Sequence, residues 1–166
     1  MSNAYFKVPQ PINEPVKSYK PGSPEREELK KKFAELKSKQ IEVPLIIGGE
    51  EVRTGNTEKM VIPHNHSHVL GIYHKAGKKE VDMAVEAALE ARKTWAEMPW
   101  EHRVSVFLKI ADLLAGPWRS TINAATMLGQ SKTAYQAEID SAAELIDFYR
   151  YNCYFMAQLM QDQPYS

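Results

Sequence analysis

The spacing of apolar and polar positions changes character along the chain. Residues 1 to about 23 have no period. They are polar and interrupted by Pro9, Pro11, Pro15 and Pro21, so an extended arm that buries little is expected. Ser23-Pro24 then has the form of a helix start. Ser stands at the cap, Pro at the first helical position, and Glu25, Glu27 and Glu28 lie near the positive end of the dipole. Leu29, Phe33 and Leu36 follow at i, i+4, i+7. This narrow stripe on a charged helix would dock on a larger body. Residues 43–54, VPLIIGGEEVRT, predict a hairpin with Gly48-Gly49 supplying the positive φ of a tight turn. Residues 59–75 predict strand, turn, strand, with Pro63 and Gly71 as the breaks.

From residue 78 the period is helical. Val81, Ala84, Val85, Ala88, Ala91 and Trp95 share a face of a helix ending near Pro99. Trp100, Val104, Phe107, Leu108, Ala111 and Leu114 mark the next helix, which Gly116-Pro117 stops. A shorter helix is expected from about Trp118 to Leu128, broken by Gly129-Gln130-Ser131-Lys132. Thr133 to about Gln161 contains neither Gly nor Pro and predicts one helix of about 40 Å at 1.5 Å per residue. Ile139, Ala142, Ile146, Tyr149, Cys153, Met156 and Met160 form its main apolar row. Leu145, Phe148, Phe155 and Leu159 form a second row, and Asp140, Glu144, Asp147 and Tyr151 take the remaining face. An apolar arc this wide calls for cover on two sides.

With 166 residues the chain has the size of one ordinary domain. Its 21 Lys and Arg balance 21 Asp and Glu, which gives no reason to expect nucleic acid or an anionic membrane as partner. No apolar run approaches a membrane span of roughly 20 residues, and MSNAYFKVPQPINEP lacks the apolar centre of a secretion signal. A lone cysteine, Cys153, excludes an internal disulfide framework and fits a reducing compartment such as the cytosol.

Candidate chemistry is sparse. His64, His66 and His68 alternate, but Pro63, Asn65 and Ser67 interleave with them and no neighbouring carboxylate or thiol completes a tetrahedral set. Turn residues are the simpler reading, with no metal. Cys153 lies on the apolar row without a His or Lys at i±3 or i±4, the setting of a buried structural thiol and not of a nucleophile. Gly129-Gln130-Ser131-Lys132-Thr133 lacks the leading glycine and preceding strand of a phosphate loop. By spacing alone, Asp140, Glu144 and Asp147 belong to a solvated face.

The stretch GQSKTAYQAEIDSAAELIDFYRYN, residues 129–152, closely resembles a segment of the Δ1-pyrroline-5-carboxylate dehydrogenases. Asn13-Glu14-Pro15-Val16 and Gly22-Ser23-Pro24-Glu25-Arg26 resemble that family's amino-terminal arm, and Pro63-His64-Asn65-His66 its strand-linking turn. Residues 86–92, EAALEAR, with Trp95, resemble the aldehyde dehydrogenase superfamily more broadly.

The resemblance implies an α/β fold, mainly helical here with short strands and a β-hairpin. Residues 1–42 would be the arm with its helix, and residues 43–166 the leading, incomplete part of an NAD-binding domain. It implies a parent enzyme that oxidises L-glutamate γ-semialdehyde to L-glutamate with NAD, in proline degradation. The family's nucleophilic cysteine, its glutamate base and its NAD-binding loops match nothing in this chain, so no catalytic or cofactor-binding residue is expected, and the fragment alone would be inactive. Glu144 matches the family's glutamate that faces the substrate's amino group. The implied partners are a small-molecule substrate, the remainder of the parent chain and further copies in a homo-oligomer, in the cytoplasm or, for a eukaryotic source, the mitochondrial matrix. Two alternatives stay open: another semialdehyde dehydrogenase, and a stand-alone helical module that binds a partner through residues 139–160.

Overall fold

The structure, a computed structural model, describes residues 6–162. The first five residues of the arm and the last four of the chain lie outside that range. The mixed helix-and-strand architecture agrees with the expected α/β class. Helix α1 (Pro24–Ser38) leads into strand β1 (Ile41–Val43), the hairpin β2 (Leu45–Ile47) and β3 (Glu50–Val52), then β4 (Thr57–Ile62) and β5 (Asn65–His74). Helices α2 (Lys78–Glu97), α3 (Trp100–Ala115), α4 (Arg119–Gln130), α5 (Ala134–Ala137) and α6 (Glu144–Gln161) follow, with a π-helical turn, Glu138–Ala143, joining α5 to α6.

The hairpin forms where expected. Gly48 and Gly49 have φ of 61° and 88°, the left-handed values that favour glycine at a two-residue turn. In the larger sheet, of order β1-β5-β4, β5 pairs antiparallel with β4 and parallel with β1. Buried His74 ties this sheet to the loop before β4. Its Nδ1 accepts from the Thr54 and Gly55 N–H groups at 3.0 and 3.2 Å, which leaves the ring proton on Nε2, 2.8 Å from Glu42 Oε1. That hydrogen bond is the main reason the Glu42 carboxyl titrates below the usual range.

Only one of the two predicted strand breaks is real. Pro63 and His64 form the turn, but Gly71 lies inside β5, opposite Met60 and Ile41. Its role is close approach: a Cβ built there would sit 2.0 Å from the Ile41 carbonyl oxygen. Gly71→Ala is therefore expected to push β1 off the sheet and cost roughly 1–3 kcal/mol. Urea unfolding measures the loss, and amide exchange at residues 41–43 should rise selectively.

The helices pack around three small apolar centres. Val8, Val104 and Cys153 join the arm to α3 and α6. Tyr19, Leu29 and Ala124 join the arm, α1 and α4, with Phe33 and Leu36 against them, so the predicted stripe of α1 is its docking face. Ala111, Ala142 and Ile146 join α3 to the π-turn and α6. Other apolar faces are left open. Val81, Val85 and Leu89 on α2 and Phe148 and Phe155 on α6 are all exposed.

Two expectations are corrected. The arm is extended, but it buries Val8 and Tyr19 and is held by polar contacts that its composition conceals. The long helix is continuous in space but not regular. The π-turn holds one extra residue, which rotates the first turns relative to the rest. Glu138, not Ile139, occupies the buried row with Ala142, Ala143, Ile146 and Cys153.

Candidate functional site

An open groove of about 500 Å³ lies between the arm and α6. Asn13, Glu14 and Val16 line it from the arm. Ile139, Ala143, Glu144, Asp147, Phe148, Tyr151, Asn152 and Phe155 line it from the π-turn and α6. The spacing of those positions is helical from Ala143 onward, and the π-turn brings Ile139 round to meet them. The groove therefore has apolar surface from Ile139, Val16, Phe148 and Phe155 and carboxylates from Glu14, Glu144 and Asp147.

Three carboxylates line the groove, and two are engaged. Glu14 accepts from Arg119 through Oε1 and from Arg150 through Oε2, the latter at 2.6 Å. Asp147 accepts from Asn13 Nδ2 and from the Glu14 N–H, both at 2.7 Å. Glu144 is exposed, and no donor among the described residues reaches its carboxylate. Asp140, expected on the same face, is not in the groove. The π-turn carries it away, and Lys132 pairs with it at 2.5 Å.

Behind the groove lies a buried polar cluster that spacing did not reveal. Glu138 is fully buried. It accepts from Lys17 N–H at 2.7 Å, Tyr19 Oη at 2.7 Å, Asn123 Nδ2 at 2.8 Å and Arg119 Nε at 3.2 Å, and also from Arg119 Nη2. Arg119 donates further to Glu14 and, at 2.8 Å, to the Pro15 carbonyl. Burial alone would raise the Glu138 pKa, but these donors outweigh it and hold the carboxyl below its ordinary range. Burial, then the Glu138 carboxylate, push the Tyr19 phenol upward, so Tyr19 remains a donor. The available signal was polar residues on buried helical positions: Arg119, Ser120, Asn123 and Thr126 of α4 are all buried, and Arg119 and Asn123 are i, i+4 neighbours.

The other sequence candidates fall elsewhere. His64 Nδ1 lies 2.6 Å from Ser131 Oγ and His68 Nε2 lies 3.0 Å from the Lys37 carbonyl, so the alternating histidines serve separate contacts. Ser131, at φ 57°, caps α4 in the left-handed conformation. Cys153 is buried, its thiol is 3.9 Å from the Val104 carbonyl, and burial raises its pKa, the state of a structural thiol.

The strand-to-helix turn from β5 to α2 carries a glycine, Gly77. Its N–H, however, donates to Glu80 Oε2 at 2.8 Å, so a phosphate there would meet a carboxylate.

Comparison with known proteins adds an independent line. The model of the aldehyde dehydrogenase family matches residues 51–165. The chain is 48% identical over 162 residues to a Δ1-pyrroline-5-carboxylate dehydrogenase of Agaricus bisporus, covering 97% of this chain and 30% of that protein. It is 47% identical over 154 residues to the mitochondrial Δ1-pyrroline-5-carboxylate dehydrogenase of Homo sapiens, covering 93% and 27%. Among solved structures, the Δ-pyrroline-5-carboxylate dehydrogenase of Mycobacterium tuberculosis bound with NAD superposes with a TM-score of 0.95 at 48% identity, over 99% of this chain and 31% of that one. The chain thus spans about 30% of the length of these relatives.

Proposed function

Because the chain belongs to the aldehyde dehydrogenase family, we propose that it is the leading part of an NAD-dependent enzyme that oxidises L-glutamate γ-semialdehyde to L-glutamate. In this reading the chain's own contribution is the substrate groove, with Glu144 receiving the substrate's α-ammonium group. One observation carries it. Of the three carboxylates in the groove, Glu14 is taken by two arginines and Asp147 by the arm, which leaves Glu144 without a donor among the described residues. Such a carboxylate over an apolar wall suits a ligand with a cationic end and an aliphatic chain.

The thiol, the base and the NAD-binding loops belong, in this reading, to the sequence that the relatives carry beyond the matched 30%. In this reading no chemical step falls on the described residues. The same missing sequence is proposed to cover the exposed apolar rows of α2 and α6, and a homo-oligomer to follow from the assembled enzyme. The cytoplasm, or the mitochondrial matrix in a eukaryote, is the proposed location. No helix among the described residues is long and apolar enough to cross a membrane.

The test is NADH formation. The longer enzyme should oxidise the semialdehyde with kcat/KM roughly 10-fold or more above that for pentanal, the value of about one charge-assisted hydrogen bond. Residues 1–166 alone should form no NADH. Equal efficiency with the two aldehydes overturns the assignment of substrate. Turnover by residues 1–166 overturns the division of labour.

A further inference from the structure

The arm is not merely tethered beside the groove; it forms part of its wall. Asn13, Glu14 and Val16 line the same cavity as Glu144. They have no regular secondary structure to hold them, so their place depends on side-chain contacts. Asp147 makes two of these, and they use both of its oxygens: Oδ2 on the Asn13 amide and Oδ1 on the Glu14 N–H, each at 2.7 Å. Tyr151, one turn further along α6, donates to Asn13 Oδ1 at 3.1 Å. Arg119 and Arg150 hold the Glu14 side chain. Asp147 and Glu144 are three apart on α6, so they lie on one face. The residue that holds the wall and the residue proposed to read the substrate are thus set by the same helical turn.

Resting on the reading that Glu144 binds the substrate's ammonium, we propose that Asp147 is a positioning residue for substrate selection. It holds arm residues 13–16 as a fixed wall of the groove, and the wall sets which aldehydes reach Glu144. Its carboxylate acts through Asn13 and Glu14, not by touching substrate. A released arm widens the groove, weakens the seating of a short amino-aldehyde and admits a bulkier one.

The experiment uses the longer enzyme with Asp147→Asn, which keeps the shape but turns one acceptor into a donor. KM for glutamate semialdehyde should rise roughly 10-fold, an ordinary size for coupling between groups in one hydrogen-bond network, while KM for 3-phenylpropanal falls and kcat for both changes little. Amide exchange at Glu14 should accelerate in the same variant. A purely structural role would instead lower kcat for both aldehydes together, through loss of active enzyme, and leave each KM in place; that result overturns the proposal. Should Asp147→Asn not fold, the double variant Asn13→Ala, Tyr151→Phe removes exposed contacts to the same wall and decides the matter. Its KM ratio for the two aldehydes should shift the same way, and an unchanged ratio is fatal. Glu144→Gln separates the two readings. If it raises KM for the semialdehyde and Asp147→Asn does not, the wall proposal alone fails. If Glu144→Gln has no effect, the substrate assignment fails first.

Discussion

Glu138→Ala is expected to remove about 3–5 kcal/mol of folding stability, the usual cost of breaking a buried ion pair by deleting one partner. The carboxylate is fully buried and accepts from Arg119, Asn123, Tyr19 and the Lys17 N–H. Its loss leaves the guanidinium with Glu14 as its remaining carboxylate partner and strips donors of their acceptor in a place water does not reach. Urea unfolding followed by circular dichroism measures the change; a loss below about 1 kcal/mol would mean that the cluster is solvated. Replacing both charges with apolar groups, as in Arg119→Met with Glu138→Leu, should be milder than Glu138→Ala, because no lone charge is left behind. The pH dependence has a defined sign. The folded pKa of Glu138 lies below its ordinary value, so its stabilisation is complete above the unfolded value of about 4.3 and is lost as pH falls through the folded one. Glu138→Gln should therefore flatten the acid limb of the stability curve.

The contrast between what spacing revealed and what it hid has a physical origin in this cluster. Apolar periodicity reports burial driven by hydrophobic surface. It located α1, α3 and α6, because Leu29, Val104, Ala111, Ile146 and Cys153 fall at helical spacing and are buried; α2 has the same period, but Val81, Val85 and Leu89 are exposed. It is silent about burial driven by compensated charge. Glu138, Arg119 and Asn123 look like surface residues one at a time and become core residues only when a distant segment, Glu14 to Tyr19, supplies their partners. The arm was misjudged for the same reason: its composition is that of a solvated segment, but its backbone N–H groups and the side chains of Asn13, Glu14 and Tyr19 complete a network on α4, the π-turn and α6. The π-turn was equally hidden. A helix with one inserted residue keeps all its helix-forming side chains, so only the displaced register betrays it. That register error put Ile139 and Asp140 on the wrong faces, whereas Glu144, at the start of the regular helix, kept its expected partners Asp147 and Tyr151.

Glu144→Gln in the longer enzyme is expected to raise KM for glutamate semialdehyde by roughly 10–100-fold and to change kcat less, which corresponds to losing about one charge-assisted hydrogen bond. Glu144 is exposed, and donors take up the groove's other two carboxylates, so Gln removes charge without leaving a protein donor stranded. Folding stability should stay within about 0.5 kcal/mol of wild type, as for other surface changes. The substrate's ammonium and its aldehyde carbon stand at opposite ends of the molecule. The ammonium contact is therefore nearly the same in the ground and transition states, and its loss appears in KM. The Asp147 carboxylate, one helical turn away and without a cationic partner in the groove, keeps part of the negative potential, which bounds the effect. Pentanal, which has no ammonium group, should not respond to the loss of the Glu144 charge, so the measurement is the ratio of kcat/KM for the two aldehydes before and after the change. An equal loss for both would assign Glu144 to the integrity of α6. No loss for either would return it to the solvated face that its spacing alone suggests.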